Sequence, residues 1–84
     1  MNDRFLLIVI DRQKKVFEGE VRSVSGSNKT GPFDILPLHE NFITIVSGNL
    51  RIKKADGLME NIAVTNGVLK ARENKVEVFI GVKK

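Results

Sequence analysis

Few side chains of this chain could do chemistry, and the best candidates are two neighbours. His39 is the only histidine, and Glu40 follows it directly. A histidine acts as a general base only when a partner residue and a pocket orient it, and adjacent loop residues need not face each other. The chain has no cysteine and no second histidine to complete a metal site. We therefore expect no catalytic residue, no metal ligand and no cofactor-binding residue.

Two short motifs in the same region resemble ligand sites. Gly26 and Gly31 have the spacing of a phosphate-binding loop, but Pro32 and Phe33 stand where that motif has Lys and Ser or Thr. A proline has no amide hydrogen to offer a phosphate. The run 28–30, Asn-Lys-Thr, matches a glycosylation acceptor. Without a secretory signal we interpret it as a chance match.

Composition places the chain among soluble globular proteins. It has 84 residues, of which 42% are hydrophobic and 29% charged, and this predicts one small domain over residues 1–84. The absence of cysteine excludes disulfides. The apolar run 5–10 is too short for a signal peptide or a membrane span and is followed at once by Asp11. We therefore expect a soluble, cytoplasmic chain with no direct membrane insertion.

The basic charge of the chain raises the question of an anionic partner. The net charge is +4 and the pI about 9.7. Several lysines and arginines alternate with apolar residues, as in 50–54 and 68–72, which is typical of the solvated face of a strand. No aromatic residues interleave with a basic stripe, as stacking on bases would need. A free-standing basic β-barrel that binds nucleic acid or protein remains the alternative function, although we expect no nucleic-acid partner.

The hydrophobic pattern has a period of two residues. In 75–82, Val76, Val78, Ile80 and Val82 share one face of an extended chain. The same alternation occurs in 43–46, 49–53 and 60–65, and β-branched residues are dense in these runs. No segment keeps a helical period over eleven or more residues, so we predict no long helix.

Turn residues separate these runs at short intervals. Asp56-Gly57, Asn66-Gly67 and Glu73-Asn74 suit tight hairpin turns, because Asn, Asp and Gly tolerate positive φ. Gly48 is predicted to begin another strand. Strands at this spacing predict an all-β fold, an antiparallel β-sandwich or barrel of about eight to ten short strands.

The first strand is apolar on both faces. Phe5, Leu7 and Val9 share one face, and the other face is formed by Leu6, Ile8 and Ile10. One face of a strand in a small sandwich should meet water. Either another part of the chain covers this second face, or a partner does.

The segment 31–44, Gly-Pro-Phe-Asp-Ile-Leu-Pro-Leu-His-Glu-Asn-Phe-Ile-Thr, holds both prolines and resembles a known family. Its pattern is similar to that of the N-terminal domain of the epsilon subunit of F-type ATP synthases. The resemblance continues through 11–24, 47–54 and 64–71 and covers nearly the whole chain. The residues of the segment that carry it are Gly31, Ile35, Pro37, His39 and Thr44, with Phe17 and Gly19 before them.

The chain departs from the family pattern at three positions. Leu38 stands in place of a glycine, Pro32 in place of an acidic residue, and Asn66 in place of the first glycine of a hairpin. Family members generally continue into a C-terminal helical hairpin, whereas this sequence ends at Lys84. The resemblance is to a short form, either a naturally short member or a trimmed chain, and we expect no regulatory or nucleotide-binding role of that hairpin here.

The resemblance implies a non-catalytic rotor subunit of the proton-translocating ATP synthase. Such a subunit lies in the central stalk on the cytoplasmic side of the membrane and couples ring rotation to ATP synthesis. The expected partners are the gamma subunit, through a face with Leu6, Ile8 and Ile10, and the membrane c-ring, through the region 28–42. Pro32 and Pro37 would stiffen that region. The implied ring-facing residues are Lys29, Thr30, Gly31, Pro32, Leu38, His39 and Glu40.

Overall fold

The regular structure of the chain is all β. The computed structural model describes residues 3–37 and 41–81, and within these ranges it contains strands and turns but no helix, so none that is long and apolar enough to cross a membrane. The predicted fold class is thereby confirmed. The strands are β1 (Phe5–Asp11), β2 (Lys14–Asn28), β3 (Gly31–Ile35), β4 (Phe42–Lys54), β5 (Met59–Arg72) and β6 (Lys75–Ile80).

Three long strands bend at bulges and take part in two layers. β2, β4 and β5 are 15, 13 and 14 residues long. In β2 the pairing with β4 skips one residue between Val21 and Ser23, and the buried positions change from odd to even numbers. In β5 they change from even to odd between Val64 and Gly67. A bulge bends its strand and re-aims the side chains beyond it, so one strand can serve both layers.

The strand segments form a five-stranded first layer and a four-stranded second layer. These nine segments of the described chain agree with the eight to ten short strands expected, although the continuous strands number six. All pairs are antiparallel except β1 with β6, which is parallel. In the first layer the strand order is 42–46 of β4, 67–72 of β5, β6, β1 and 14–21 of β2. In the second layer the strand order is β3, 24–28 of β2, 49–54 of β4 and 59–64 of β5.

Two of the predicted strand boundaries are wrong. Gly48 lies inside β4 with φ of 90°, and Asn66-Gly67 lies inside β5. Gly67 pairs with Val46 on one side and with Ile80 on the other, so the chain runs straight on instead of reversing. Gly48 has positive φ at a bulge, whereas Gly67 is required because the Phe79 carbonyl oxygen would lie 2.9 Å from a Cβ, so glycine at neither position marks a hairpin.

The other turns are as the sequence indicates. Gly57 has φ of 91° and its N–H donates to the Lys54 carbonyl at 2.9 Å, closing the β4–β5 turn. Glu73 and Asn74, both with positive φ, connect β5 to β6. A third tight turn, Arg12-Gln13, joins β1 to β2 with φ of 51° and 74°. Two consecutive positive φ values define the type I′ hairpin that matches the twist of paired strands.

The core fills the space between the layers and is entirely apolar among the described residues. Phe5, Leu7 and Val9 of β1 are buried, which confirms that they share the inner face. Val76 and Val78 of β6 are buried as the period of two predicts. The remaining buried apolar residues are Val21, Val24, Ile35, Val46, Leu50, Ile52, Val64, Leu69 and Ala71.

Candidate partner-binding surfaces

An apolar row crosses the outer face of the first layer. Cross-strand pairing aligns Ile45 of β4 with Val68 of β5, Val68 with Phe79 of β6, and Phe79 with Ile10 of β1. Val16 of β2 lies at the bulge next to Ile10 and is 48% exposed. We call these five residues the outer apolar row. Contiguous apolar surface of this kind is a mark of a protein interaction site.

Charged side chains border the row on the same face. Glu77 stands between Lys70 of β5 and Ile8 of β1 in the cross-strand register. Lys75 approaches Glu77 to 3.9 Å, and Lys15 donates to Glu18 at 2.7 Å. The first layer therefore presents an apolar row beside a mixed charged border.

The predicted gamma-facing residues of β1 lie on this face but differ in their surroundings. Leu6, Ile8 and Ile10 all point outward and are half-buried. Ile10 belongs to the outer apolar row, whereas Ile8 lies between Glu77 and Glu18. Leu6 lies between Lys75 and Glu20. Leu6 and Ile8 each stand between two charged residues, whereas Ile10 has Phe79 on one side and Lys15 with the bulged Val16 on the other.

Sequence reasoning missed most of the row. Ile45, Val68 and Phe79 were not among the predicted partner residues, because they come from three strands and meet only through pairing. One signal was available. The run 42–46 carries no charged residue, and neither does β1 before Asp11. Uncharged runs of this kind are expected where both faces of a strand are covered.

The outer face of the second layer is polar by contrast. Ser25 of β2 donates to an Asp34 carboxylate oxygen at 2.6 Å. On its other side Ser25 pairs with Arg51, and Arg51 pairs with Asn61. The two faces of the sandwich therefore differ in chemistry, and the first layer is the one suited to an apolar contact.

The β2–β3 turn is held by one asparagine. Asn28 Oδ1 accepts hydrogen bonds from the backbone N–H groups of Thr30 (2.8 Å) and Gly31 (3.2 Å). Asn28 Nδ2 donates to Thr44 Oγ1 at 3.0 Å, which ties the turn to β4. This arrangement is the Asx turn typical of asparagine, and it explains the 28–30 motif without glycosylation. Lys29 and Thr30 stand exposed at its tip.

The predicted ring-facing residues do not form one continuous loop. Lys29 and Thr30 are in the β2–β3 turn, and Gly31 and Pro32 begin β3. Because a strand rises about 3.3 Å per residue, β3 separates Gly31 from Ile35 by about 13 Å. The other three, Leu38, His39 and Glu40, lie outside the described residues.

A small charge cluster closes the opposite end of the first layer. Arg4 contacts Asp3 at 3.2 Å and Glu20 at 3.5 Å, and its carbonyl accepts from Asn74 Nδ2 at 3.1 Å. The hydrogen bond from Arg4 holds the pKa of the Asp3 carboxyl below its ordinary value. These groups are exposed and paired, which is the arrangement of a structural cluster. Among the residues in 3–37 and 41–81, no group of three His, Cys, Asp or Glu side chains could hold a metal ion.

Comparison with known proteins identifies the family to which this fold belongs. Residues 4–81 match the family described as the ATP synthase delta/epsilon chain, β-sandwich domain. The chain belongs to this family. The resemblance noted in the sequence is thereby confirmed. Within this ATP synthase family, the chain is 37% identical over 72 residues to an ATP synthase epsilon chain of Delftia acidovorans, which covers 84% of this chain and 52% of that protein.

A second family member gives a similar result. An ATP synthase epsilon chain of Sulfurihydrogenibium is 40% identical over 77 residues, covering 90% of this chain and 58% of that protein. The chain thus spans little more than half the length of these relatives.

Solved structures share the fold of this ATP synthase family member. A chain in the Euglena gracilis mitochondrial ATP synthase (OSCP/F1/c-ring) superposes with a TM-score of 0.87 at 14% identity, over 93% of this chain and 51% of that chain. A chain in the central stalk and c-ring of the Tetrahymena thermophila mitochondrial ATP synthase gives 0.72 at 13% identity, over 89% and 61%. At these identities the likeness shows the fold of the domain.

Proposed function

We propose that this chain is a non-catalytic central-stalk subunit of an F-type ATP synthase. Its family membership supports this role, and the observation that carries it is the outer apolar row on one face of the sandwich. The chain acts as one folded unit over residues 1–84. It is peripheral to the membrane, on the cytoplasmic side, as part of the assembled complex.

The gamma subunit is the proposed partner of the first layer. Burial of the outer apolar row against a partner lowers the free energy, because apolar surface leaves water. The charged border fixes the orientation of the partner. Ile10 is the predicted residue best placed for this contact, because it pairs with Phe79 and lies at the bulge that holds Val16. Leu6 and Ile8 contribute at the charged border.

The membrane c-ring is the proposed partner of the β2–β3 turn and of β3. Lys29 and Thr30 are exposed at the turn, Gly31 and Pro32 follow in β3, and the Asn28 hydrogen bonds hold the turn in one shape. A rigid turn loses less entropy on docking than a flexible one. Leu38, His39 and Glu40 complete the proposed contact on the strength of the family resemblance alone.

The proposed mechanism is mechanical. A sandwich whose three long strands run through both layers resists shear between those layers, since sliding them would break strand pairing. Bound to gamma on one face and to the ring at β3, it holds the stalk on the ring, so that proton-driven rotation reaches the catalytic head. The chemistry of ATP synthesis then lies in other subunits.

Co-expression with a cognate gamma subunit tests the first contact. The complex should stay together in gel filtration at about 0.3 M salt, because an apolar contact is screened little by ions. Ile10→Lys should separate the two proteins, whereas Ala63→Lys, an equally charged change on the exposed outer face of the second layer, should not. Two separate peaks for the wild-type pair would contradict the proposal. Nucleic-acid binding that falls steeply with salt would instead favour the basic binding module.

Pull-down of the c-ring from native membranes tests the second contact. Lys29→Glu and Leu38→Asp should reduce recovery of the ring while leaving the gamma complex intact. Lys53→Glu, the same charge reversal on an exposed strand residue of the second layer, is the matched control. If Leu38→Asp unfolds the chain, Leu38 belongs to the core, and the proposed contact of that residue is wrong.

A further inference from the structure

Four strand segments in the described chain have one side without a strand partner. Residues 14–19 of β2 pair only with β1, and β3 pairs only with β2. Residues 59–64 of β5 pair only with β4, and residues 42–46 of β4 pair only with β5. We call residues 42–46 the edge segment. A free edge presents unpaired backbone N–H and C=O groups that can pair with another chain.

Three of these edges carry the devices that proteins use to prevent strand addition. Residues 14–19 include Lys14, Lys15 and Glu18. β3 has a proline at position 32 and Asp34, and residues 59–64 include Glu60. Charges and prolines on an edge oppose pairing with a further strand. The edge segment, Phe-Ile-Thr-Ile-Val, has neither.

The side chains of the edge segment leave its outer face open. Ile43 is 68% exposed and Ile45 is 64% exposed, and these are the two highest values among the large hydrophobic residues described. On the inner face, Val46 is buried and Phe42 packs edge-on against Phe33. An added strand would therefore extend the first layer and cover Ile43 and Ile45 without disturbing the core.

Three cations surround the edge segment. Lys70 is the cross-strand partner of Ile43, and Arg72 follows the partner of Phe42. At the other end, Lys29 and Ile45 line the same shallow depression of about 380 Å³. None of the three forms an ion pair with a residue in the described ranges. Lys70 and Arg72 share a depression with Lys75 and with the carboxylates Glu73 and Glu77, so three positive groups face two negative ones there. Both ends of the edge keep an excess of positive charge and therefore favour a negative charge on whatever binds there.

We propose that the edge segment accepts an added β-strand from a partner protein. The strand is an extended segment with alternating apolar residues, which cover Ile43 and Ile45, and with a carboxylate near each end, which reaches Lys29 or the pair Lys70 and Arg72. Backbone hydrogen bonds supply affinity in this mode, and the alternating side chains supply specificity. The proposal goes beyond the function proposed above, because it concerns backbone pairing with a strand of a partner. It does not depend on which subunit supplies that strand.

A second copy of this chain fits the edge less well. Two edge segments paired with each other would bring the same three cations of both copies to one interface, and like charges close together oppose association. An acidic segment meets the opposite condition. Strand exchange between copies is therefore the competing occupant that the experiment must separate.

The experiment is an NMR titration of the isotope-labelled chain with a short synthetic peptide of alternating Val and Thr between two Asp residues. The amide signals of residues 42–46 should shift, and alternate amides there should exchange more slowly with solvent. Ile43→Lys should weaken binding at least about tenfold, since an edge lysine opposes strand addition. Leu58→Lys is the matched control, because Leu58 is 63% exposed and lies in a turn. Ile45→Lys repeats the test should the first variant fold poorly.

The outcomes are separable. Binding that is localised to 42–46, weakened by Ile43→Lys and by replacing both peptide Asp residues with Lys, supports the proposal. No shift at 42–46 at millimolar peptide, or equal weakening by Leu58→Lys, overturns it. Shifts at 42–46 that depend on protein concentration without peptide identify a second copy as the occupant and also overturn it. A failed gamma complex with a positive titration would refute the proposed function alone.

Discussion

Phe33 of β3 and Phe42 of β4 meet edge-on, with ring centroids 5.8 Å apart and planes inclined by 66°. The two strands belong to different layers and do not pair with each other. Together with the hydrogen bond from Asn28 to Thr44, this contact links the two layers on the side of the sandwich where backbone pairing is absent, and the backbone edge of 42–46 keeps no second strand partner. The stability of that side therefore depends on side chains.

The aromatic contact should be measurable as a coupling energy. In a double-mutant cycle of Phe33→Ala and Phe42→Ala, we expect a coupling of about 0.5–1.5 kcal/mol, because edge-on aromatic pairs stabilise beyond their buried area. Urea unfolding of the four proteins measures it. The cycle of Phe42→Ala with Phe17→Ala, at opposite edges of the first layer, should be additive within about 0.3–0.5 kcal/mol. Equal coupling in both cycles would contradict a specific contact.

Gly67 should not tolerate a methyl group. A Cβ there would lie 2.9 Å from the Phe79 carbonyl oxygen and 3.0 Å from Val64 Cγ1, and the backbone atom cannot move aside. Gly67→Ala should lower the free energy of unfolding by about 1–3 kcal/mol. Gly19→Ala is the control, since its Cβ would meet only the Phe17 ring at 3.9 Å. We expect Gly19→Ala to stabilise by about 0.5 kcal/mol. Thermal unfolding of both variants decides the matter.

The β1–β2 turn should be improved by a glycine. Gln13 has φ of 74°, a left-handed conformation that costs most residues about 1 kcal/mol. Gln13→Gly should therefore raise the free energy of unfolding by about 0.5–1 kcal/mol. Lys14→Gly, one position later in β2, should lower it by a similar amount, because glycine weakens a strand. If both changes destabilise equally, backbone strain at Gln13 is not the reason.

Asn28 should matter for the turn and for what the turn presents. Asn28→Ala removes three hydrogen bonds and should cost about 1–3 kcal/mol. Asn28→Asp keeps the acceptor for the Thr30 and Gly31 N–H groups but loses the donor to Thr44. It should therefore lower the free energy of unfolding by less than Asn28→Ala does. Chemical denaturation compares them. Identical losses would mean that the link to Thr44 carries the whole effect.

Much of the fold follows from local sequence patterns. The period of two in 75–80 predicts the buried Val76 and Val78, and Asp56-Gly57 predicts the β4–β5 turn. The boundaries predicted at Gly48 and Asn66-Gly67 are wrong because glycine also serves a bulge, as at Gly48, and a close backbone approach, as at Gly67. What separates both from a hairpin is whether the flanking strands continue to pair, and pairing joins residues far apart in the sequence.

The surface was harder to predict than the fold. The alternation within β1 alone predicts that Ile8 and Ile10 lie on its second face, but the row that Ile10 joins depends on the register of five strands. Phe79 and Val68 are ordinary alternating residues in their own strands. Only the parallel pairing of β1 with β6 brings Phe79 beside Ile10, and neither strand carries a local signal for it.

The passage of β2, β4 and β5 through both layers has a consequence for how the protein melts. Neither layer can unfold before the other, because the two layers share β2, β4 and β5. Calorimetric and van't Hoff enthalpies should therefore agree, with one transition for the whole sandwich. Since the pairings of β1 with β6 and of β2 with β4 join residues far apart in the sequence, refolding should take milliseconds to seconds, slower than in helical domains of this size.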